Sequence, residues 1–264
     1  MVQKVVISGA SRGIGAALAE VMASPGIALL LLARNEDCLH RVAERCRAKG
    51  ALVYWRALDV RNREDVAESV AEFARDGGIQ VIIANAGTVS LERTPTDRGP
   101  DWERLQDQIH HNLSCTLSLL QVGLSLPVEQ RRHLHCVVVS SLNAFLALGE
   151  APGYCVAKAA QHSLVEALED FYAARPAPET EVFFSQVFPG FVATGMAEGY
   201  PGPRPFQCTA QSAAHRILRG VRARRRIILF PRRLALLIWI GQWLPKALLR
   251  WIIAPGRAYR GSLP

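Results

Sequence analysis

A tyrosine and a lysine stand four residues apart in Ala151-Pro152-Gly153-Tyr154-Cys155-Val156-Ala157-Lys158-Ala159. On a helix this spacing puts the phenol and the ammonium one turn apart on the same face. A phenol with its ordinary pKa of about 10 is a poor base. A neighbouring positive charge favours the phenolate and lowers that value. Tyr154 can then exchange a proton with a substrate oxygen, with Lys158 as its partner. The spacing alone is common, and three other features give it weight. Ser140-Ser141 closes an apolar run upstream, glycines cluster near the start of the chain, and Asn85-Ala86-Gly87 follows an apolar run between them. Ser141 can hold the substrate oxygen by a hydrogen bond. Singly, each residue has a plainer reading: serines satisfying a strand end, a half-buried core aromatic, a solvated helix lysine. Jointly they point to chemistry.

The glycines are spaced Gly9-x-x-x-Gly13-x-Gly15, with Ser11, Arg12 and Ile14 in the same stretch. At a strand-to-helix turn, glycine allows close approach of the backbone to a pyrophosphate. The following helix offers unpaired amides and its positive end. Packing is the plainer role of such glycines, but the first turn of an alternating strand-helix chain favours dinucleotide binding. The end of the next apolar run, Leu31-Leu32-Ala33-Arg34-Asn35, carries Arg34 where an acidic residue would accept hydrogen bonds from an adenosine ribose. With Arg12 nearby, two guanidinium groups can clamp a 2′-phosphate, so NADP(H) is the expected cofactor. Asp59 and Val60 are placed to meet the adenine, although Asp59 could serve only as a helix cap. Asn85, Ala86 and Gly87 are small enough to let a cofactor lie across the sheet edge, and can also brace the neighbouring strand. The expected reaction passes a hydride between the nicotinamide and a carbonyl or alcohol, while Tyr154 moves the proton. Lys158 is expected to reach the nicotinamide ribose as well.

The elements that must position these groups read as an alternation. Apolar runs at 4–8, 27–32, 52–58, 79–84, 134–139 and 182–188 predict strands, and 226–230 a seventh. Helical patterns cover 16–23, 35–49, 62–75, 102–126, 154–174 and 209–218, with Asn35, Asp101 and Thr209 as caps. Unbroken apolar strands alternating with helices signal a parallel sheet covered on both faces, an α/β doubly wound architecture of Rossmann type. Residues 191–208, with several glycines and prolines, read as a mobile lid with short helical pieces. No linker divides the chain: residues 1–230 read as one cofactor-binding and catalytic domain, and 231–264 as a helical extension.

The chain has 264 residues, half of them apolar, which suffices for a sizeable core. Its six cysteines show no metal-type pairing, so no metal is expected, and free thiols in a reducing compartment are the simplest reading. The N-terminus lacks the basic lead and long apolar core of a secretion signal, which suggests a cytoplasmic location. The net charge of +8 is unevenly distributed: residues 199–264 hold thirteen Lys or Arg and no carboxylate. Such a field suits anionic surfaces, either lipid headgroups or nucleic acid. The cations are interleaved with long aliphatic runs, with no zinc or helix-turn-helix signature, so nucleic acid is not expected as a partner.

Ser8-Gly9-Ala10-Ser11-Arg12-Gly13-Ile14-Gly15, Asn85-Ala86-Gly87, Ser141, Tyr154-x-x-x-Lys158 and Pro189-Gly190 with Thr194 together resemble the short-chain dehydrogenase/reductase family, over residues 3–195. The resemblance implies seven parallel strands in the order 3-2-1-4-5-6-7. It implies Tyr154 as acid/base, Lys158 as its partner and Ser141 as substrate anchor. It adds Asn112, at the family position that bends a long helix and holds a relay water, and which the residues alone would leave as a mid-helix polar group. It also places Pro189, Gly190, Phe191 and Val192 beside the nicotinamide, with Thr194 on its amide or phosphate side. Ser8 replaces a usual threonine and keeps the hydroxyl; Ala84 replaces a common asparagine. The C-terminus departs most, since Arg224-Arg225-Arg226-Ile227-Ile228-Leu229-Phe230-Pro231 stands where a glycine-rich turn helps build tetramers. A homodimer through the helices at 102–126 and 154–174 is expected instead.

Leu234-Ala235-Leu236-Leu237-Ile238-Trp239-Ile240, then Trp243-Leu244-Pro245 and Lys246 to Ile253, is too interrupted for a span of about 20 apolar residues. Two short helices hinged near Pro245 and lying at a membrane surface fit better; packing on the enzyme or on a second subunit is the alternative. Leu142, Ala144, Phe145, Leu146, Leu148, Phe191, Met196, Tyr200 and Phe206 suggest a lipophilic carbonyl or alcohol substrate. The competing function is a cofactor-binding regulatory or structural protein that has lost catalysis.

Overall fold

The computed structural model describes residues 2–91, 100–147, 149–175, 180–198, 200 and 203–245. Strands β1 (Gln3–Ser8), β2 (Ile27–Ala33), β3 (Leu52–Ala57), β4 (Val81–Ala84), β5 (His133–Val139) and β6 (Glu181–Pro189) alternate with helices α1 (Gly13–Met22), α2 (Glu36–Arg47), α3 (Arg63–Ala74), α4 (Trp102–Leu124) and α5 (Pro152–Ala173). Then come β7 (Val192–Ala193), α6 (Gly195–Glu198), β8 (Cys208–Thr209), α7 (Ala210–Arg222), β9 (Ile227–Phe230) and α8 (Arg232–Gly241). Seven strands form one sheet in the order β3-β2-β1-β4-β5-β6-β9, and β7 pairs with β8 apart from it. Every pairing is parallel. The expected strand order is therefore present, with β9 as the seventh strand.

Both faces of the sheet are covered, which explains the unbroken apolar runs. Successive strand residues point to opposite faces. Val5, Ile7, Leu29 and Leu31 pack with α1, α2 and α7 on one side, and Val6, Leu30, Leu32 and Ile82 pack with α3, α4 and α5 on the other. The helices start where side chains satisfy their free amides. Asn35 Oδ1 accepts from Cys38 N at 2.8 Å, Asp101 Oδ1 from Arg104 N at 3.0 Å, and Thr209 Oγ1 from Ser212 N at 3.1 Å.

Some boundaries differ from the expected ones. α5 begins at Pro152 rather than Tyr154, because proline suits a first helical turn. α7 continues through Gly220 to Arg222, and the glycine leaves room for Ile228 to pack against the helix. The expected lid contains α6 and the β7-β8 pair. Leu148, part of the loop 88–100 and the tail from 246 onward lie outside the described residues.

Candidate functional site

The carboxyl ends of β1, β4, β5 and β6 converge, and there the crossover loops reverse direction, the position at which open α/β sheets bind ligands. The glycine turn follows β1. Gly9 and Gly13 have φ of +66° and +59°, values that disfavour residues with a Cβ. A Cβ on Gly9 would come within 2.8 Å of Ala86 Cα, and one on Gly15 would overlap the Gly9 carbonyl. The turn is thus fully packed against Ala86 and Asn85. Asn85 braces it, donating Nδ2 to the carbonyls of Ser8 at 3.1 Å and Gly9 at 3.3 Å. Ser8 Oγ accepts from the amides of Asn85 and Ala86, both at 3.1 Å. The hydroxyl at residue 8 ties β1 to β4, and Asn85 has the bracing role that the sequence left beside the cofactor role.

Arg12 and Arg34 are both exposed at this edge. Arg12 precedes α1 with an extended backbone, and Ala10 N donates to Leu32 O at 3.3 Å, which holds the turn against the end of β2. Ser11 and Ile14 are half-buried and Val60 is buried. Asp59 is engaged by Arg61, whose Nη2 lies 2.7 Å from its carboxylate and whose backbone N–H donates to it at 3.0 Å. This hydrogen bonding pulls the Asp59 pKa down to about 2. An adenine amine must therefore share that carboxylate with Arg61. Thr194 reaches the glycine turn from β7, its Cγ2 3.2 Å from where a Gly13 Cβ would stand. Gly190 N donates to Phe230 O at 2.7 Å, so Pro189 and Gly190 are set by the pairing of β6 with β9, and Val192 is buried behind them.

Ser141 follows β5, and the first turn of α5 brings Tyr154 to it. The Ser141 hydroxyl hydrogen-bonds the Tyr154 phenol, which lowers its pKa, but burial outweighs this and pushes the phenol up to about 12. The sequence suggested a lowering by Lys158 together with the charge of an oxidised nicotinamide; for the protein groups by themselves, burial is the larger effect. Lys158 is itself 4% exposed, with its ammonium 5.6 Å from the centre of the Tyr154 ring. Its Nζ donates away from the phenol, to Val139 O at 2.9 Å and Gln161 Oε1 at 3.0 Å. Desolvation brings Lys158 itself down to about 8. Gly87 separates this pair from α4: a Cβ there would lie 2.6 Å from Asn112 Oδ1 and 3.8 Å from Lys158 Nζ.

Asn112 sits within an unbroken α4. Its Oδ1 accepts from Thr88 N at 2.8 Å, and its Nδ2 donates to Thr88 O at 3.0 Å and Gln108 O at 2.9 Å. Gln161 is the residue that sequence reasoning missed. It is fully buried, and its Nε2 donates to Asn112 O at 3.0 Å and Thr116 Oγ1 at 2.7 Å. The available signal was a glutamine three residues after Lys158, on the same helical face.

The proposed substrate side is aromatic. Phe145 packs on Phe188 and His162, with ring centres 4.7 Å and 5.1 Å apart, and Phe191 on Tyr200 at 5.3 Å. Leu142 is buried, whereas Met196 and Phe206 are exposed. A cleft of about 410 Å³, lined by Gln3, Gln80, His133, Glu181 and Arg224, lies at the opposite, amino ends of the strands and is remote from these groups.

The glycine cradle, the free start of α1 and the two exposed arginines fit a dinucleotide. Comparison with known proteins agrees. Residues 3–202 match the family model described as short chain dehydrogenase. An uncharacterized oxidoreductase of Staphylococcus saprophyticus is 31% identical over 73% of this chain and 79% of its own. One from Myxococcus xanthus is 28% identical over 92% of this chain and 93% of its own. Among solved structures, an alcohol dehydrogenase from Thermococcus sibiricus complexed with 5-hydroxy-NADP is 28% identical, with a TM-score of 0.71, over 86% of this chain and 95% of that one. A short chain dehydrogenase/reductase from Burkholderia phymatum in complex with NAD shares the fold at 23% identity, with a TM-score of 0.73, over 91% and 92% of the two chains.

Proposed function

This chain belongs to the short chain dehydrogenase family, and from that membership, which makes it an oxidoreductase of carbonyl and alcohol groups, we propose that it uses NADP(H), with Tyr154 as acid/base, on a lipophilic substrate. One observation carries the reading: the Tyr154 phenol is hydrogen-bonded to Ser141 beside the buried Lys158 ammonium, at the sheet edge that also holds the glycine turn.

When bound, the nicotinamide supplies or takes up hydride. Gly9, Ser11, Gly13, Ile14 and Gly15 cradle the pyrophosphate at the start of α1. Arg12 and Arg34 hold the 2′-phosphate, and Asp59 and Val60 flank the adenine. Asn85, Ala86 and Gly87 floor the site, and Pro189, Gly190, Val192 and Thr194 close it on the nicotinamide side. Ser141 anchors the substrate oxygen. Tyr154 gives that oxygen a proton in reduction and takes it back in oxidation. Burial keeps the phenol protonated, the form from which reduction draws its proton. Asn112 and Lys158 hold the groups around it. The 5-hydroxy-NADP in the Thermococcus sibiricus enzyme supports the cofactor choice, as does Arg34.

Phe145, Phe191 and Tyr200 support an apolar substrate body. Exposed Trp102 and Leu117 on α4, with Val156 and Phe171 on α5, support a homodimer through these helices. All six cysteines are free thiols, which fits a cytoplasmic setting, and the basic apolar C-terminal segment fits contact with a membrane surface. The test is a panel of carbonyl compounds with NADPH, read by absorbance of the reduced ring, for the wild type and Tyr154→Phe. The variant is expected to bind NADPH and lose about 10²- to 10⁴-fold in turnover. Unchanged turnover would remove Tyr154 from the mechanism.

A further inference from the structure

Helix α8 is apolar on both sides, and only one of them is packed. Leu234, Ala235 and Ile238 are half-buried and Gly241 is buried. On that side, Leu234 Cδ2 lies 3.0 Å from where a Gly190 Cβ would stand, and Gln242 Nε2 donates to Phe145 O at 2.9 Å. α8 therefore braces both the segment after Ser141 and the turn after β6. On the other side, helical spacing groups Leu236, Leu237, Trp239, Ile240 and, in the following turn, Trp243. All five are exposed, Trp243 at 78%. Arg232 precedes Leu236 and Trp239 by one and two turns, and Arg233 precedes Leu237 and Ile240 likewise. Both arginines are exposed and share this face.

We propose that this face docks on an anionic lipid surface, so that the Tyr154 site opens beside the bilayer. Aliphatic side chains and tryptophans suit the headgroup boundary, and arginines suit its phosphates. Residues 199–264, the segment that contains α8, hold thirteen Lys or Arg and no Asp or Glu. A second copy is the poorer occupant. A two-fold contact sets a face against itself and would bring together two segments of the same charge sign. Among the described residues no helix is long and apolar enough to cross a membrane, and the proposal concerns only the exposed face of α8. Docking stands on α8 itself; its use in delivering a lipophilic carbonyl compound rests on the oxidoreductase reading above.

The full chain is pelleted with phosphatidylcholine vesicles, with and without phosphatidylglycerol, and NADPH turnover of a water-soluble aldehyde is measured on the same preparation. The wild type is expected to pellet with the anionic vesicles, less so at high salt. Leu237→Glu and, separately, the pair Arg232→Ser with Arg233→Ser should each lower the bound-to-free ratio by about tenfold or more and leave aldehyde turnover unchanged. The arginine pair guards against misfolding, since it removes two cations from a helix N-terminus, where they are unfavourable. Wild-type protein that stays in the supernatant would overturn the proposal. So would equal pelleting of all variants, or a dimer in sedimentation that Leu237→Glu dissolves. Normal pelleting with no turnover of any member of the carbonyl panel above would support docking and sink the proposed carbonyl chemistry alone.

Discussion

Lys158 and Gln161 are joined by a hydrogen bond of 3.0 Å from Nζ to Oε1, and the far end of the same glutamine is fastened to Asn112 O and Thr116 Oγ1 on α4. The amide spans two helices and fixes where the ammonium stands. Gln161→Met keeps the volume and removes all three bonds. Turnover is expected to fall on the order of 10- to 100-fold, the cost of a small misplacement at a reacting site. Loss of an acceptor disfavours the charged amine, so an alkaline limb set by Lys158 deprotonation near 8 should move to lower pH. A variant with reduced activity and an unmoved limb would leave Gln161 a packing role only.

Arg34 stands where an acidic residue would favour the unphosphorylated cofactor. Arg34→Asp is expected to weaken NADPH binding by about 10- to 100-fold, the worth of a charge-assisted hydrogen bond, and to strengthen NADH binding. Titration of both dinucleotides against the variant checks this. Unchanged affinities would assign the 2′-phosphate to Arg12 or Arg61.

Gly15 has no room for a methyl group, since a Cβ there would overlap the Gly9 carbonyl and lie 2.6 Å from Asn85 Nδ2. Gly15→Ala is expected to cost about 1–3 kcal/mol in stability and to abolish dinucleotide binding by displacing the turn. Thermal melts with and without NADPH separate the two effects, because the cofactor should no longer raise the Tm.

His135 is buried on β5 against Phe183, its Nε2 2.7 Å from Ser185 Oγ. Desolvation and nearby Arg224 lower its pKa to about 4 from 6.5. The folded state thus favours the neutral ring, and the unfolded chain binds more protons between these values. Stability is full above pH 6.5 and falls as pH drops toward 4, by on the order of 3 kcal/mol. His135→Phe should flatten that part of the urea-midpoint profile, and an unaltered slope would assign the acid sensitivity elsewhere.

The strands, their caps and the glycine turn were legible because each depends on near neighbours in the chain. Asn35 and Asp101 cap helices through contacts three residues away, and the apolar strands follow from a sheet covered on both sides. The positions of Ser141 and Tyr154 were legible for the same reason, since each stands near an element boundary, and Lys158 follows Tyr154 by one helical turn. What the tertiary structure alone decided involves partners far apart in the chain. Gln161 meets Asn112 across 49 residues. Lys158 turns to Val139 O and Gln161 Oε1, and burial raises the pKa of Tyr154 where a neighbouring charge suggested a fall. α8 buries one apolar side and leaves the other open. A one-dimensional pattern records which faces are apolar and which groups can ionise. Desolvation and the direction of a hydrogen bond depend on what fills the surrounding space, and that is settled only when distant segments pack.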